Sequence, residues 1–177
     1  MVIGYFVTGC SSSAPPYPAD YPLTTDVFHS RQNLCTGRIP QGWFSAAEDT
    51  LAPSLLGWIV KQDYSSSLTL KELHIDRITA KRIDKEGLKL LANISMAFEP
   101  EGQGAGTVSV QPKEFSIAGR DYCGYELTTG TDCKRIVVFY AKGRYYESIA
   151  APLKGIGSED SAKIFSAQEV FLAGLAF

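Results

Sequence analysis

Hydrophobic positions along the chain change period several times, and each change marks an element. "NLCTGRIPQGWFSAAED" reads as a short strand, a turn at Pro40-Gln41-Gly42 and a second short strand. "LLGWIVKQDYSSSLTLKEL" carries two β-leaning pieces broken at Ser65-Ser66-Ser67, and the period from Leu73 to Ile78 is ambiguous. In "IDKEGLKLLANISMAF" the residues Ile83, Leu90, Leu91, Ile94, Ala97 and Phe98 recur at three- and four-residue spacing, which predicts one helix with one apolar stripe. Asp84 is its expected N-cap, and Pro100 and Gly102 end it.

After the loop "EGQGAG" come four β-type runs, "TVSVQPKEFSIAG", "DYCGYELTT", "CKRIVVFYAKG" and "RYYESIAAPL". They are separated by Ala118-Gly119, Gly130-Thr131-Asp132 and Lys142-Gly143, short breaks that join antiparallel neighbours into a meander. Its tyrosines and Phe139 suit cross-strand pairing on a half-buried sheet. The closing stretch has a polar start at Ser158–Ser161, then Ile164, Phe165, Phe171, Leu172 and Leu175, the pattern of a terminal helix docking on the sheet. The fold class is therefore α+β: an antiparallel β-sheet packed with helices.

The first residues do not belong to this pattern. "FVTGCSSS" sets Gly9 directly before Cys10, with Thr8 and Val7 ahead of it. This resembles the bacterial lipobox, where a small residue lets a signal peptidase reach the bond before a cysteine that becomes acylated on sulfur and on its freed amine. Several acyl chains, at about 0.8 kcal/mol per buried CH₂, hold a protein on a bilayer. "SSSAPPYPADYP" follows, with Pro15, Pro16, Pro18 and Pro22 among small polar residues, a composition suited to a tether. The rival reading of "VIGYFV" is a β-strand. Nine residues precede Cys10 and none is Lys or Arg, so residues 1–9 are read as a short or truncated signal. Residues 10–32 are then lipid anchor and tether, and 33–177 a single globular domain. Ser11, where an aspartate would signal retention at the inner membrane, points by the same resemblance to the outer membrane and its periplasmic side.

The order of elements carries a second resemblance. Ile39, Pro40, Gly42 and Trp43 early in the chain, then Gly119, Tyr122 and the stretch from Gly143 to Ile149, resemble the PsbP/Mog-type superfamily of α/β/α sandwiches over roughly residues 33–177. The segment between Trp43 and Asp84 matches least. That superfamily includes bacterial envelope lipoproteins and protein-binding or assembly factors, with no shared active site to carry over. The resemblance thus implies a non-catalytic module with an envelope protein as partner.

Composition and charge narrow this further. With 17 basic and 19 acidic residues and a net charge of -2, the chain has no electrostatic footprint for nucleic acid or a polybasic membrane patch. It is 45% hydrophobic and 20% charged, which is globular material, and no apolar run is long enough to span a bilayer. The four cysteines leave Cys35, Cys123 and Cys133 once Cys10 is set aside, and Cys123–Cys133 on neighbouring strands is the preferred disulfide.

Candidate chemistry is sparse. His29 and His74 are the two histidines, no CxxC or HExxH occurs, and neither a metal nor a cofactor is expected. No GxSxG elbow presents a serine, and nothing around Cys35 or Cys123 marks a reactive thiol. "GQGAG" and "GIG" lack the spacing and lysine of phosphate loops, "KRIDKE" reads as a solvated helix face, and Glu159-Asp160 suits a helix start better than calcium. The tyrosines Tyr122, Tyr125, Tyr140, Tyr145 and Tyr146 either cover the sheet beneath the helices or form an outward binding patch. Three functions remain, in this order: an envelope-tethered protein-binding module, a carrier with an apolar pocket of several hundred Å³ between sheet and helices, and a hydrolase using Asp121, Glu126 and Glu147.

Overall fold

The computed structural model describes residues 14–17, 20–46, 54–98, 107–153 and 160–177. In chain order the elements are β1 (Leu23–His29), β2 (Thr36–Pro40), β3 (Trp43–Ser45), β4 (Leu55–Lys61), β5 (Ser66–Leu73), α1 (Arg77–Glu86), α2 (Leu88–Ala97), β6 (Thr107–Ile117), β7 (Arg120–Thr129), β8 (Asp132–Ala141), β9 (Arg144–Pro152) and α3 (Ser161–Ala173). Seven strands form one antiparallel sheet in the order β3-β4-β5-β9-β8-β7-β6, and β1 pairs with β2 separately.

The expected meander is present, and its turns show why. Ala118 and Gly119 between β6 and β7, and Lys142 and Gly143 between β8 and β9, all have positive φ (49°, 76°, 47° and 81°). Two such residues in a row make the type I′ turn, whose twist matches that of the strands it joins. The pairing then sets Phe115 against Tyr122, Tyr122 against Phe139 and Phe139 against Tyr146. Their ring centroids lie 5.6, 5.1 and 5.2 Å apart in one ladder across four strands. Strand β9 goes on to pair with β5 along its length, from Ser66 with Pro152 to Leu73 with Tyr145.

Both faces of the sheet are covered, not one. Ile83, Leu91 and Ala92 of α1 and α2 pack on Cys123, Tyr125, Ile136 and Val138. On the other face, Ile164, Phe165, Phe171 and Leu172 of α3 pack with Phe28 on Val137, Phe139 and Tyr146. This explains the unbroken run "RIVVF" in β8: alternate residues point to opposite layers, and each layer is apolar.

Four details depart from the sequence reading. The single helix expected from Ile83 to Phe98 is two helices broken at Gly87, whose φ of 86° and ψ of 179° fall where essentially only glycine is found. The cap of α1 is Asp76, whose carboxylate accepts from the amides of Ile78 and Thr79, whereas Asp84 accepts from the Tyr145 hydroxyl at 3.3 Å. Ser66 and Ser67 belong to β5, so the break lies one step earlier than expected, at 62–65. The packed domain also starts before residue 33, because β1 lies within the expected tether and Phe28 is buried against Phe171. The Gly87 break yields a direct expectation: Gly87→Ala should destabilise the protein by about 1–3 kcal/mol, read as a lower urea midpoint. An unchanged midpoint would mean the two helices can fuse into one.

Candidate functional site

A groove of about 530 Å³ opens on the α1/α2 face of the sheet. Its floor and one wall come from Lys71 and Leu73 of β5, Glu147 and Ile149 of β9 and Lys134 of β8, with His74 and Ile75 in the link to α1. The other wall is α2, through Leu91, Ile94, Ser95 and Phe98, spaced to share one helical face. Leu91 is fully buried on the sheet, while Phe98 at the far end is 83% exposed. The apolar stripe therefore starts on the sheet and runs out over the groove.

A polar chain ties this site together. Ser95 Oγ donates to Glu147 Oε2 at 2.5 Å and lies 2.9 Å from the Tyr125 hydroxyl. Lys71, the register partner of Glu147, approaches its other oxygen at 3.4 Å. One buried carboxylate is thus held by a helix hydroxyl and a strand ammonium, an arrangement that fixes α2 over the sheet.

The groups singled out in the sequence are mostly not brought together. Strand alternation puts Glu126 on the α3 face and Glu147 on the α2 face, and Asp121 is exposed, accepting from Ser116 at 2.6 Å. The three carboxylates of the hydrolase reading do not meet. His29 is exposed on β1, and only His74 reaches the groove. Of the five tyrosines, Tyr122, Tyr125, Tyr145 and Tyr146 are buried and Tyr140 alone is exposed, so the outward tyrosine patch does not form. Among the described residues no group of three His, Cys, Asp or Glu converges on a point that would hold a metal. Cys10 lies outside the described residues.

The expected Cys123–Cys133 bridge is not formed: Cys35, Cys123 and Cys133 are free thiols. Cys123 pairs with Val138 and Cys133 with Thr128, five residues apart along the ladder. That is about 17 Å at strand rise, against the roughly 7 Å limit for bridged Cα atoms. They also face opposite layers. Burial pushes the Cys123 thiol up to about 12 and raises Cys35 as well, which keeps both protonated and unreactive.

A second polar cluster was missed. Arg135 of β8 and Glu169 of α3, 2% and 0% exposed, pair at 2.8 Å. The guanidinium lies 4.9 Å from the rings of both Tyr17 and Phe115. Tyr17 closes the cluster: its amide donates to Glu169 at 3.2 Å and its hydroxyl to Glu126 at 2.5 Å. Its ring stands edge-on to Phe165, with centroids 5.2 Å apart. Burial first and Glu126 second raise the Tyr17 phenol well above its usual range. Burial likewise raises Glu169 and lowers Arg135. The available signals were an arginine opening the apolar run of β8 and a glutamate inside "AQEVFL", both at positions the pattern assigns to the core.

No protein-family model matches the chain, and no curated protein matches it. Among solved structures, it is similar to the Ran-binding protein Mog1p of Saccharomyces cerevisiae, with a TM-score of 0.51 and 10% identity over 88% of this chain and 96% of that one. Cyanobacterial PsbP of Synechocystis sp. PCC 6803 gives 0.49 at 12% identity, covering 85% and 91%. LpqN of Mycobacterium tuberculosis, described as involved in cell envelope biogenesis, gives 0.47 at 15%, covering 80% and 81%. At such identities a shared fold is all that transfers, and it rests on the Mog1p likeness. With helices on both faces of an antiparallel sheet and this likeness beside it, the chain has the PsbP/Mog-type α/β/α fold.

Proposed function

We propose that the protein is a lipid-anchored module of the bacterial envelope that binds a ligand without transforming it, and that the groove beneath α2 is its binding site. The observation that carries this reading is the groove itself: a concave site of about 530 Å³ with apolar walls and a few placed polar groups. Such sites are where proteins of ordinary size take up ligands. Mog1p shows the same fold in a protein named for binding another protein. The volume of the groove favours the carrier form of the reading over a purely protein-facing surface, with an envelope protein as the partner to which the ligand is presented.

Acylation of Cys10, on the outer membrane facing the periplasm, would supply the location. The tether is then shorter than composition suggests. With Tyr17 clamped on the α3 face, seven residue steps separate anchor and domain, a reach of roughly 25 Å at full extension. The groove opens on the opposite face of the sheet, away from the pull of the anchor.

The test is the intact mass of the protein from the membrane fraction of a bacterium carrying the gene with its upstream region. The expected result is cleavage before Cys10 with added acyl chains, and release of Cys10→Ser protein into the soluble fraction. An unmodified residue 10 in soluble protein would overturn the anchor and return "VIGYFV" to the fold as a strand.

A further inference from the structure

We propose that the socket under Tyr17, on the α3 face, is a recognition site for a proline-flanked tyrosine carried by another protein, and that the chain's own Tyr17 holds it closed. The socket lies on the opposite face of the sheet from the groove beneath α2, and it stands whether or not that groove takes a ligand.

The packed domain builds this socket from its own elements. Phe115 comes from β6, Glu126 from β7, Arg135 from β8, and Phe165 and Glu169 from α3. Tyr17 belongs to no helix or strand, yet it meets the socket in four ways. Its ring stands edge-on to Phe165 and covers the Arg135 guanidinium, its hydroxyl donates to Glu126, and its amide donates to Glu169. A site that reads a ring, a donor at the tip of that ring and a main-chain N–H is specific for tyrosine. Pro16 fixes the backbone ahead of Tyr17, and Pro18 restricts Tyr17 itself to extended conformations. The residue is thus presented with little entropy left to lose.

Tyr17 fills the socket incompletely. Arg135 and Glu169 are 2% and 0% exposed, and among the described residues Arg135 Nη2 and Glu169 Oε2 have no partner while Tyr17 is in place. Arg135 also lines a cavity of about 30 Å³ beside Pro16, room for one small polar group. Two atoms of charged groups left dry count against the closed state. A segment that brings the same tyrosine together with an acceptor for that cavity would displace Tyr17.

Opening the socket leaves the fold in place. The Tyr21 hydroxyl accepts from Trp43 Nε1 at 3.1 Å, and the Pro22 carbonyl accepts from the Gln41 amide at 2.8 Å, so β1 stays fastened when Tyr17 lifts. Four residue steps separate Tyr17 from Tyr21, a leash of roughly 14 Å at full extension. So short a leash favours a segment of a different protein over exchange of Tyr17 between copies.

The test is a fluorescence anisotropy titration of labelled Ala-Pro-Pro-Tyr-Pro-Ala-Asp, the sequence of residues 14–20, with the full chain. Tyr17→Ala protein should bind one peptide per chain, about tenfold or more tighter than the wild type, whose own tyrosine competes. Phenylalanine in place of the peptide's tyrosine should cost about tenfold or more, the loss of one charge-assisted hydrogen bond. Glu126→Gln introduced beside Tyr17→Ala should close the gap between the two peptides. Equal binding of both peptides by Tyr17→Ala protein would overturn recognition of tyrosine. Absence of binding by Tyr17→Ala protein that still unfolds cooperatively in urea would overturn the site. Should that variant lose its cooperative transition, Tyr17→Phe takes its place, since it keeps the ring and gives up only the bond to Glu126. Binding between the two levels is then expected, and none would overturn the site as well. Sedimentation of the wild type tests the source: self-association that Tyr17→Ala abolishes would replace the foreign segment with a second copy and overturn that part of the proposal.

Discussion

Replacing Arg135 with alanine should destabilise the domain by about 3–5 kcal/mol, because it strands the Glu169 carboxylate in an apolar layer. The rings of Phe115 and Phe165 lie beside the guanidinium, and Tyr17 covers it. Its hydrogen bonding is incomplete, since among the described residues Arg135 Nη2 and Glu169 Oε2 have no partner. A pair in that condition contributes little net stability, yet losing one member costs heavily. The double substitution Arg135→Met with Glu169→Leu should therefore recover most of the loss. Urea unfolding of the two singles and the double gives the answer. A single-site loss below about 1 kcal/mol would mean the pair is not desolvated in solution. Proteolysis near Tyr17 should also rise in Arg135→Ala, since the guanidinium under the Tyr17 ring and the partner of the Glu169 carboxylate that accepts from the Tyr17 amide are then gone.

Phe28→Ala carries a comparable expected loss, about 3–5 kcal/mol, and tests where the domain begins. The ring is 1% exposed, sits edge-on to Phe171 with centroids 5.6 Å apart, and fills the space that Gly57 leaves open. A Cβ at Gly57 would lie 2.2 Å from that ring, so strand and glycine are matched in shape. Deleting residues 1–32 should be as damaging, because it removes β1 from β2 and Phe28 from the core. If the shortened chain unfolded at the same urea concentration as the intact one, residues 23–29 would be tether after all.

How far the sequence reaches can be judged from such residues. The α+β class was legible because its signals are local: glycine-bearing two-residue turns, β-branched and aromatic runs between them, and an acidic residue ahead of the terminal helix. Asp160 indeed caps α3, accepting from the Ala162 amide at 3.0 Å. Gly87 was visible too, but an apolar stripe that continues past a glycine predicts one helix unless the backbone angle is known. The proline-rich stretch ahead of β1 drew it into the tether, because composition cannot report that a neighbouring strand offers it a ladder.

The site was legible in parts only. Glu147 and His74 stood out as titratable groups, and Ile94 and Phe98 as members of a helical stripe, yet nothing local sets the stripe over the strands that carry Lys71 and Lys134. The same holds for Arg135 and Glu169, which read as misfits in apolar runs until β8 and α3 are packed face to face. The sequence by itself determined the turns, the strand-forming runs of the meander and the class of fold, since each depends on backbone preferences within a few residues. The tertiary structure decided the union of β5 with β9, the buried ion pair and the open trough, because each arises where segments distant along the chain compete to bury the same surface, and only packing settles which of them succeeds.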